Sequence, residues 1–233
     1  MNKISNKLIV ILAFFLLISF SLSSVSATTC FVNETMDSEE INNWIDNMVD
    51  ITSLHFKNTG SGVYNGIVLN IIKAINVTCD ANVSLVATDE DDGYAFSVSA
   101  NSVNITGFKI SGYINGIIAD GINNFQIISN TLIDNEFGVS ISDSNNVKID
   151  NNTITGSGSN GVSIDSSNNL NLTSNAINNG ESNGISISDS GNVNIAKNTI
   201  FDNEDNAIAI DSSNNTNVDN IVRYLFFDNI YIV

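Results

Sequence analysis

The chain has 233 residues, 25 of them acidic and 8 basic, with a formal net charge of −17. All 25 acidic residues but only six of the basic ones follow Ala27, so the chain beyond that point carries −19. Such a charge excludes a nucleic-acid partner, and a hydrophobic content of 42%, rich in Ile and Val, excludes wholesale disorder.

Residues 1–27 read as a secretory signal peptide. Lys3 and Lys7 make a positive start, Leu8 to Phe20 is apolar apart from Ser19, and Val25-Ser26-Ala27 offers small residues for cleavage. The alternative, an uncleaved anchor, needs roughly 20 apolar residues, which this run does not supply. Cys30 and Cys79 are the two cysteines. In an exported chain an even number favours a disulfide, with a lipid-modified Cys30 or two buried thiols as alternatives. Within the N-terminal segment 28–50, Asp37-Ser38-Glu39-Glu40 opens a run with Ile41, Trp44, Ile45, Met48 and Val49 on one face at helical spacing. This predicts an amphipathic helix that caps the open end of the first coil of strands.

From 51 to 102, Val63 to Leu69, Ile75 to Val77, Val83 to Val86 and Tyr94 to Val98 read as strands of two irregular coils. His55 lies here, and its position outside the repeats favours a structural role over that of a catalytic base. Asp89-Glu90-Asp91-Asp92 reads as a solvated loop, with calcium binding as the functional alternative.

Between 103 and 215 the sequence repeats. Units begin at Val103, Phe125, Val147, Leu170 and Val193, with lengths of 22, 22, 23, 23 and 23. Each contains three short apolar stretches alternating with period 2, such as Val147 and Ile149, then Ile154, then Val162 and Ile164. Three strands in 22–23 residues describe one coil of a parallel β-helix, and segment 51–220 is assigned to it.

Residues that stack in successive coils form columns. Asn124, Asn146, Asn169, Asn192 and Asn215 make one, and Asn130, Asn152, Asn175 and Asn198 a second. Stacked amides donate to one neighbour and accept from the other, so both columns are structural. Gly116, Gly138, Gly161 and Gly184, with Ala207 in the last unit, demand either a positive φ or space that a Cβ would fill. Asp120, Asp143, Asp165, Asp189 and Asp211 alternate in offset from that column, with Ser142, Ser166, Ser188 and Ser212 in the complementary places. Equivalent carboxylates are thus two coils apart, which relieves repulsion without a metal; a calcium ladder is the rival reading. Ser140, Ser163 and Ser186, and Thr131, Thr153 and Thr199, point outward as flat polar rows.

Segment 221–233 contains Arg223 and Asp228, too polar and short for an ordinary membrane span. It reads as an irregular last coil or as the end of a truncated copy, with truncation slightly favoured. Sequons at Asn33, Asn76, Asn82, Asn104, Asn151, Asn171 and Asn214 are available for glycosylation of an exported chain.

Asn152-Thr153-Ile154, Asn198-Thr199-Ile200, the Gly-Ile/Val-Ser-Ile segments at 138, 161 and 184, and Val103 to Phe108 give the chain its family likeness. It resembles the adhesin-like proteins with right-handed β-helix repeats found on archaeal cell surfaces and, more loosely, carbohydrate-active β-helix proteins. The resemblance implies an all-β right-handed parallel β-helix, three strands per coil, and a secreted or cell-surface role contacting glycans or proteins. No catalytic or cofactor-binding residue is assigned, and the metal question stays open. The leading expectation is a non-enzymatic adhesin-like protein. A polysaccharide-active lyase, hydrolase or epimerase or its inactive relic, and a structural spacer of a longer protein, are the alternatives.

Overall fold

A computed structural model describes residues 27–89, 92–223 and 230–233. The chain winds into a parallel β-helix whose strands stack as three faces. A complete coil is represented by Asn145–Asp150 on the front, Thr153–Thr155 on the side and Val162–Asp165 on the back. The back strands form one eight-stranded parallel sheet, from Leu69–Ile71 to Ile230–Ile232. Front and side stacks join where Gly191–Phe201 runs unbroken through both faces. Two irregular coils, starting at Ile51 and Asn76, precede the regular ones. At the far end Asn214–Arg223 and Ile230–Ile232 pair in parallel with the coil before them. Nearly all of the signal segment, Glu90, Asp91 and Tyr224 to Asn229 lie outside the described residues.

The period-2 alternation becomes an inward column wherever it is apolar. Val147 pairs with Leu170 and Leu170 with Val193, while Ile154, Ile177 and Ile200 align on the side face. All are buried, and removing such side chains from water drives the coil shut. The first coils are filled differently: Phe56 packs edge-to-face on Tyr64 and Phe108 at 5.1 and 5.3 Å, and Phe108 on Phe96 at 5.2 Å. The repeat is blurred before Val103 because paired positions there are unevenly spaced: Val77 pairs with Leu54, 23 residues before it, and with Ile105, 28 residues after it.

The two asparagine columns do different work. Asn130, Asn152, Asn175 and Asn198 point inward at the bend between front and side strands and are buried. Asn152 Oδ1 accepts from the backbone N–H of Asn130 at 2.9 Å and from its amide at 3.2 Å, while Asn152 Nδ2 donates to Ile127 O at 2.9 Å and Asn175 Oδ1 at 3.0 Å. The same pattern extends to Asn220, which the repeat alone did not reveal. At the N-terminal side the column ends on Phe108, whose N–H still donates to Asn130. Asn124, Asn146, Asn169, Asn192 and Asn215 instead turn the chain with φ between 51° and 59°, and their side chains are exposed. That left-handed geometry is one asparagine tolerates.

A serine column closes the back-to-front bend and has no counterpart among the expected sites. Ser144, Ser167 and Ser190 are buried. The N–H of Ser144 donates to Ser167 Oγ at 3.0 Å and that of Ser167 to Ser190 Oγ at 3.1 Å, and each hydroxyl donates to the carbonyl two residues earlier. The glycine column owes its identity to space. Gly116, Gly138, Gly161 and Gly184 do not have positive φ, but a Cβ on Gly161 would stand 2.7 Å from both Gly184 O and Ile177 Cγ2.

The helix, α1 (Ser38–Asn47), has Asp37 as its N-cap, accepting from the Glu40 N–H at 2.9 Å, and buries Ile41 and Ile45. Its polar residues complete the cap. Ser38 Oγ donates to Gly66 O and accepts from the Val68 N–H, while Asn42 accepts from the Asn70 N–H and donates to Val68 O. The backbone groups left by the first back strand, an otherwise open edge, are thereby occupied. Val49 falls beyond the helix and is 96% exposed, so it is not part of the capping face.

The expected disulfide is not formed: Cys30 and Cys79 are free thiols. Cys30 is in register with Leu54, Leu54 with Val77, and Cys79 with Phe56. An entire strand lies between the two cysteines, so they are two strand spacings, about 9.6 Å, apart even before their offset along the strand. A disulfide needs Cα atoms within about 7 Å.

Replacing Asn152 with Ala strands the Asn130 amides and Ile127 O inside the coil, and is expected to cost about 3 kcal/mol. Asn169→Gly, at an exposed positive-φ site that glycine accepts, should stay within about 0.5 kcal/mol. Chemical denaturation of both variants checks the contrast.

Candidate binding surface

The outward side chains are as ordered as the core. On the front face one column runs Asn76, Asn104, Gln126, Lys148, Asn171, Asn194 and Asn217. Asn104 donates to Asn76 at 2.6 Å, and Asn194 to Asn171 and Asn217 to Asn194 at 2.8 Å each. On the back face Ser140, Ser163 and Ser186 are aligned, and on the side face Thr131 and Thr153 precede Ala176 and Thr199. A further amide column, Asn160, Asn183 and Asn206, edges the back face with Nδ2 to Oδ1 distances of 3.1 and 2.9 Å.

The acidic residues sit mainly at the bends. Asp120, Ser142, Asp165, Ser188 and Asp211 are in register at the ends of the back strands. Ser142 Oγ donates to Asp120 at 2.7 Å and Ser188 Oγ to Asp165 at 2.6 Å. Hydrogen bonds from Ser188 and then Ser166 hold the Asp165 carboxyl below its ordinary range. Asp143 and Asp189 occupy the next position, at positive φ, opposite Ser166 and Ser212. Within the strand-end column the Asp120 and Asp165 carboxylates are separated by serine hydroxyls that hydrogen-bond to them, a stabilisation that requires no cation. At the side-to-back bend, Asp134 and Glu136 lie over Gly156 and Gly158 of the next coil, where a Cβ would collide with them. Among the described residues no three His, Cys, Asp or Glu side chains gather in a group able to hold a metal ion.

His55 belongs to a separate cluster at the N-terminal end of the front face. Its Nδ1 lies 2.8 Å from Thr78 Oγ1 and its Nε2 2.9 Å from Asp80 Oδ1, so both ring nitrogens are engaged. The bond from His55, then that from the Asn58 N–H, keeps the Asp80 carboxyl below its usual range. Lys57 stands 3.8 Å from Asp80 and 4.8 Å over the Phe31 ring. Buried Tyr64 ties the two strands beneath this cluster, donating to Lys57 O at 2.6 Å or Val32 O at 3.0 Å. Glu34 secures the adjoining loop by accepting from the N–H groups of Thr59, Gly60 and Gly62 and from the Thr59 hydroxyl. These bonds, the Thr59 hydroxyl foremost, hold its carboxyl down at about 2.

The sequons differ in setting. Asn33 accepts from its own Thr35, Asn76, Asn104 and Asn171 are engaged in the front amide column, and Asn151 donates to Ser129. Asn82 is exposed at a turn with φ 66°, and Asn214 is exposed at a strand start.

Stacked parallel coils closed by buried Asn and Ser columns define a β-solenoid protein. The chain belongs to the right-handed β-helix family, whose model, described as "Right handed beta helix region", matches residues 92–225. No curated protein sequence matches the chain. Among solved structures it is similar to the catalytic domain of a GH87 α-1,3-glucanase in complex with nigerose, with TM-score 0.63, 12% identity and coverage of 85% of this chain and 38% of that one. It is also similar to the periplasmic alginate epimerase AlgG, at TM-score 0.54, 14% identity and coverage of 78% and 50%. An alginate lyase from Paenibacillus sp. str. FPU-7 gives TM-score 0.51, 13% identity and coverage of 86% and 99%. The chain thus spans half or less of the glucanase and epimerase structures, and identities this low establish the shared fold alone.

Because Glu34 is lowered from 4.5 to about 2, its contribution is complete above its unfolded value and lost as pH falls through the folded one. Protection of the Thr59, Gly60 and Gly62 amides, taken relative to the intrinsic exchange rate at each pH, should therefore hold down to pH 4.5 and fall away as pH approaches 2, and Glu34→Gln should remove it at neutral pH. Ser188→Asp would set three carboxylates at adjacent positions. It should destabilise the protein by about 1 kcal/mol per new neighbour at low salt, with added salt or calcium restoring part of the loss in a thermal melt.

Proposed function

We propose that this protein is a non-enzymatic, exported, adhesin-like module that contacts extracellular glycans through its outer faces. One observation carries this reading: outward donors and acceptors recur in register from coil to coil, as in Asn171, Asn194 and Asn217. Such a strip offers a repeating polymer equivalent contacts about 4.8 Å apart. Each contact is weak and the array gains by avidity. The likeness to a fold solved with nigerose and tetrasaccharides supports a saccharide partner. Acidic bends keep the molecule soluble and favour neutral over anionic polymers. In an exported chain, Asn82 is the sequon best placed to carry a glycan.

A second reading, a polysaccharide-active enzyme, draws on those same neighbours and on the His55–Asp80 pair. Against it stands the engagement of both His55 nitrogens by Thr78 and Asp80, which leaves the ring no lone pair or proton directed at a substrate.

The full chain should be retained on immobilised polysaccharide with an apparent affinity that rises with ligand density, and should release no reducing or unsaturated ends from α-1,3-glucan or alginate. Measurable release would establish the enzyme instead. Failure to bind any glycan surface would favour a structural spacer.

A further inference from the structure

The cluster at the N-terminal end of the front face differs from the repeated polar strips in having an aromatic ring at its centre. Phe31, pointing outward from the strand Thr28–Val32, is 56% exposed. A phenyl group held in water gives up stabilisation that burial would provide. Lys57 Nζ lies over the ring, 4.8 Å from its centroid, and His55 packs against it in a T-shaped arrangement, with centroids 5.9 Å apart and planes at 81°. The frame is rigid: His55 is held by Thr78 and Asp80, Asp80 also accepts from the Asn58 N–H, and Tyr64 anchors the backbone of the Phe31 and Lys57 strands.

We propose that Phe31, flanked by Lys57, His55 and Asp80, is the binding platform for one uncharged pyranose unit of an extracellular glycan. The proposal rests on the glycan-contact reading above and gives it a specific anchor. A pyranose presents a face of C–H groups, which stacks on an aromatic ring, and a rim of hydroxyls, which needs preoriented donors and acceptors beside that ring. Phe31 supplies the first, and the Lys57 ammonium protons and the Asp80 carboxylate lone pairs beside it supply the second, with His55 holding Asp80 in place. Charge selects the neutral sugar: Lys57 is already engaged with Asp80 at 3.8 Å, and the net charge of −17 repels a polyanion. Direction comes from register, because Phe31 aligns with His55, His55 with Thr78 and Thr78 with Thr106. A glycan leaving the ring along the coil axis next meets the Thr hydroxyls and the neighbouring Asn76–Asn104 pair.

The test is calorimetric titration of the full chain with cellohexaose, an α-1,3-linked gluco-tetrasaccharide and oligoguluronate. At least one neutral probe should bind in preference to oligoguluronate. Phe31→Ala should weaken that binding tenfold or more and Phe31→Tyr by less than threefold, while Tyr231→Ala, at the opposite end on the back face, should leave it unchanged. Circular dichroism melts of all three variants should match the unmodified protein, since both rings are exposed. If the chain binds a neutral probe and Phe31→Ala binds it equally well, the platform is refuted while the glycan-contact reading stands. Preference for oligoguluronate refutes the proposed selectivity. Binding of no glycan, in solution or immobilised, overturns both.

Discussion

The inward amide column from Asn130 to Asn220, buried as far as Asn198, is the constraint on which the regular coils depend. An amide inside an apolar tube is costly unless all its donors and acceptors are used. Here each side chain takes the N–H of the preceding coil's asparagine and passes its own protons to a carbonyl behind and to the amide ahead. No coil can satisfy its asparagine alone, so the residue at this position in one coil determines what the next must carry. The amides stay in line even where the residue count changes beside them: Thr216 pairs with Val193 and Ile221 with Thr199, the shift falling between Ala196 and Thr199, while Asn198 still bonds to Asn220. The 23-residue units take up their extra residue at the side-to-back bend, where the sequence is most variable.

The serine column at the opposite corner repeats the principle with a smaller group, joining each N–H to the next coil's hydroxyl. Between these corners the strands need only alternate, which explains a core of Ile, Val and Leu with few other demands. Where the amide column stops, at Phe108, aromatic rings fill the interior and α1 closes it. Irregular coils, capping helix and the Phe31 cluster therefore occupy one end of the molecule for one reason: they lie outside the reach of the repeating rule.

The same stacking shapes the electrostatics. Any residue repeated at a column position meets its copy about 4.8 Å away, which suits amides and hydroxyls and penalises carboxylates. Asparagine, serine and threonine accordingly recur beside their own kind on the faces, as in Asn171, Asn194 and Asn217, whereas aspartate alternates with serine at the strand ends. Flat polar faces bordered by acidic bends result, and a surface of this kind meets an extended polymer better than it encloses a small substrate.

Periodicity made the coil, its strand count and the inward and outward positions of each unit legible from sequence, because every repeat sits in nearly the same surroundings and is selected for the same residue. Neighbour relations in three dimensions decided the rest. Both asparagine columns look alike as sequence, yet one is buried in amide bonds and the other exposed at positive φ. Glycine's need for space rather than backbone freedom depends on Ile177 and Gly184, contributed by the next coil. Cys30 and Cys79 invite pairing on a count of cysteines, and only the strand between them forbids it. The partners of His55, the loop wrapped around Glu34 and the platform of Phe31 occur once each. With no second copy to form a column, such singular contacts leave no period in the sequence and exist only when distant strands are brought side by side.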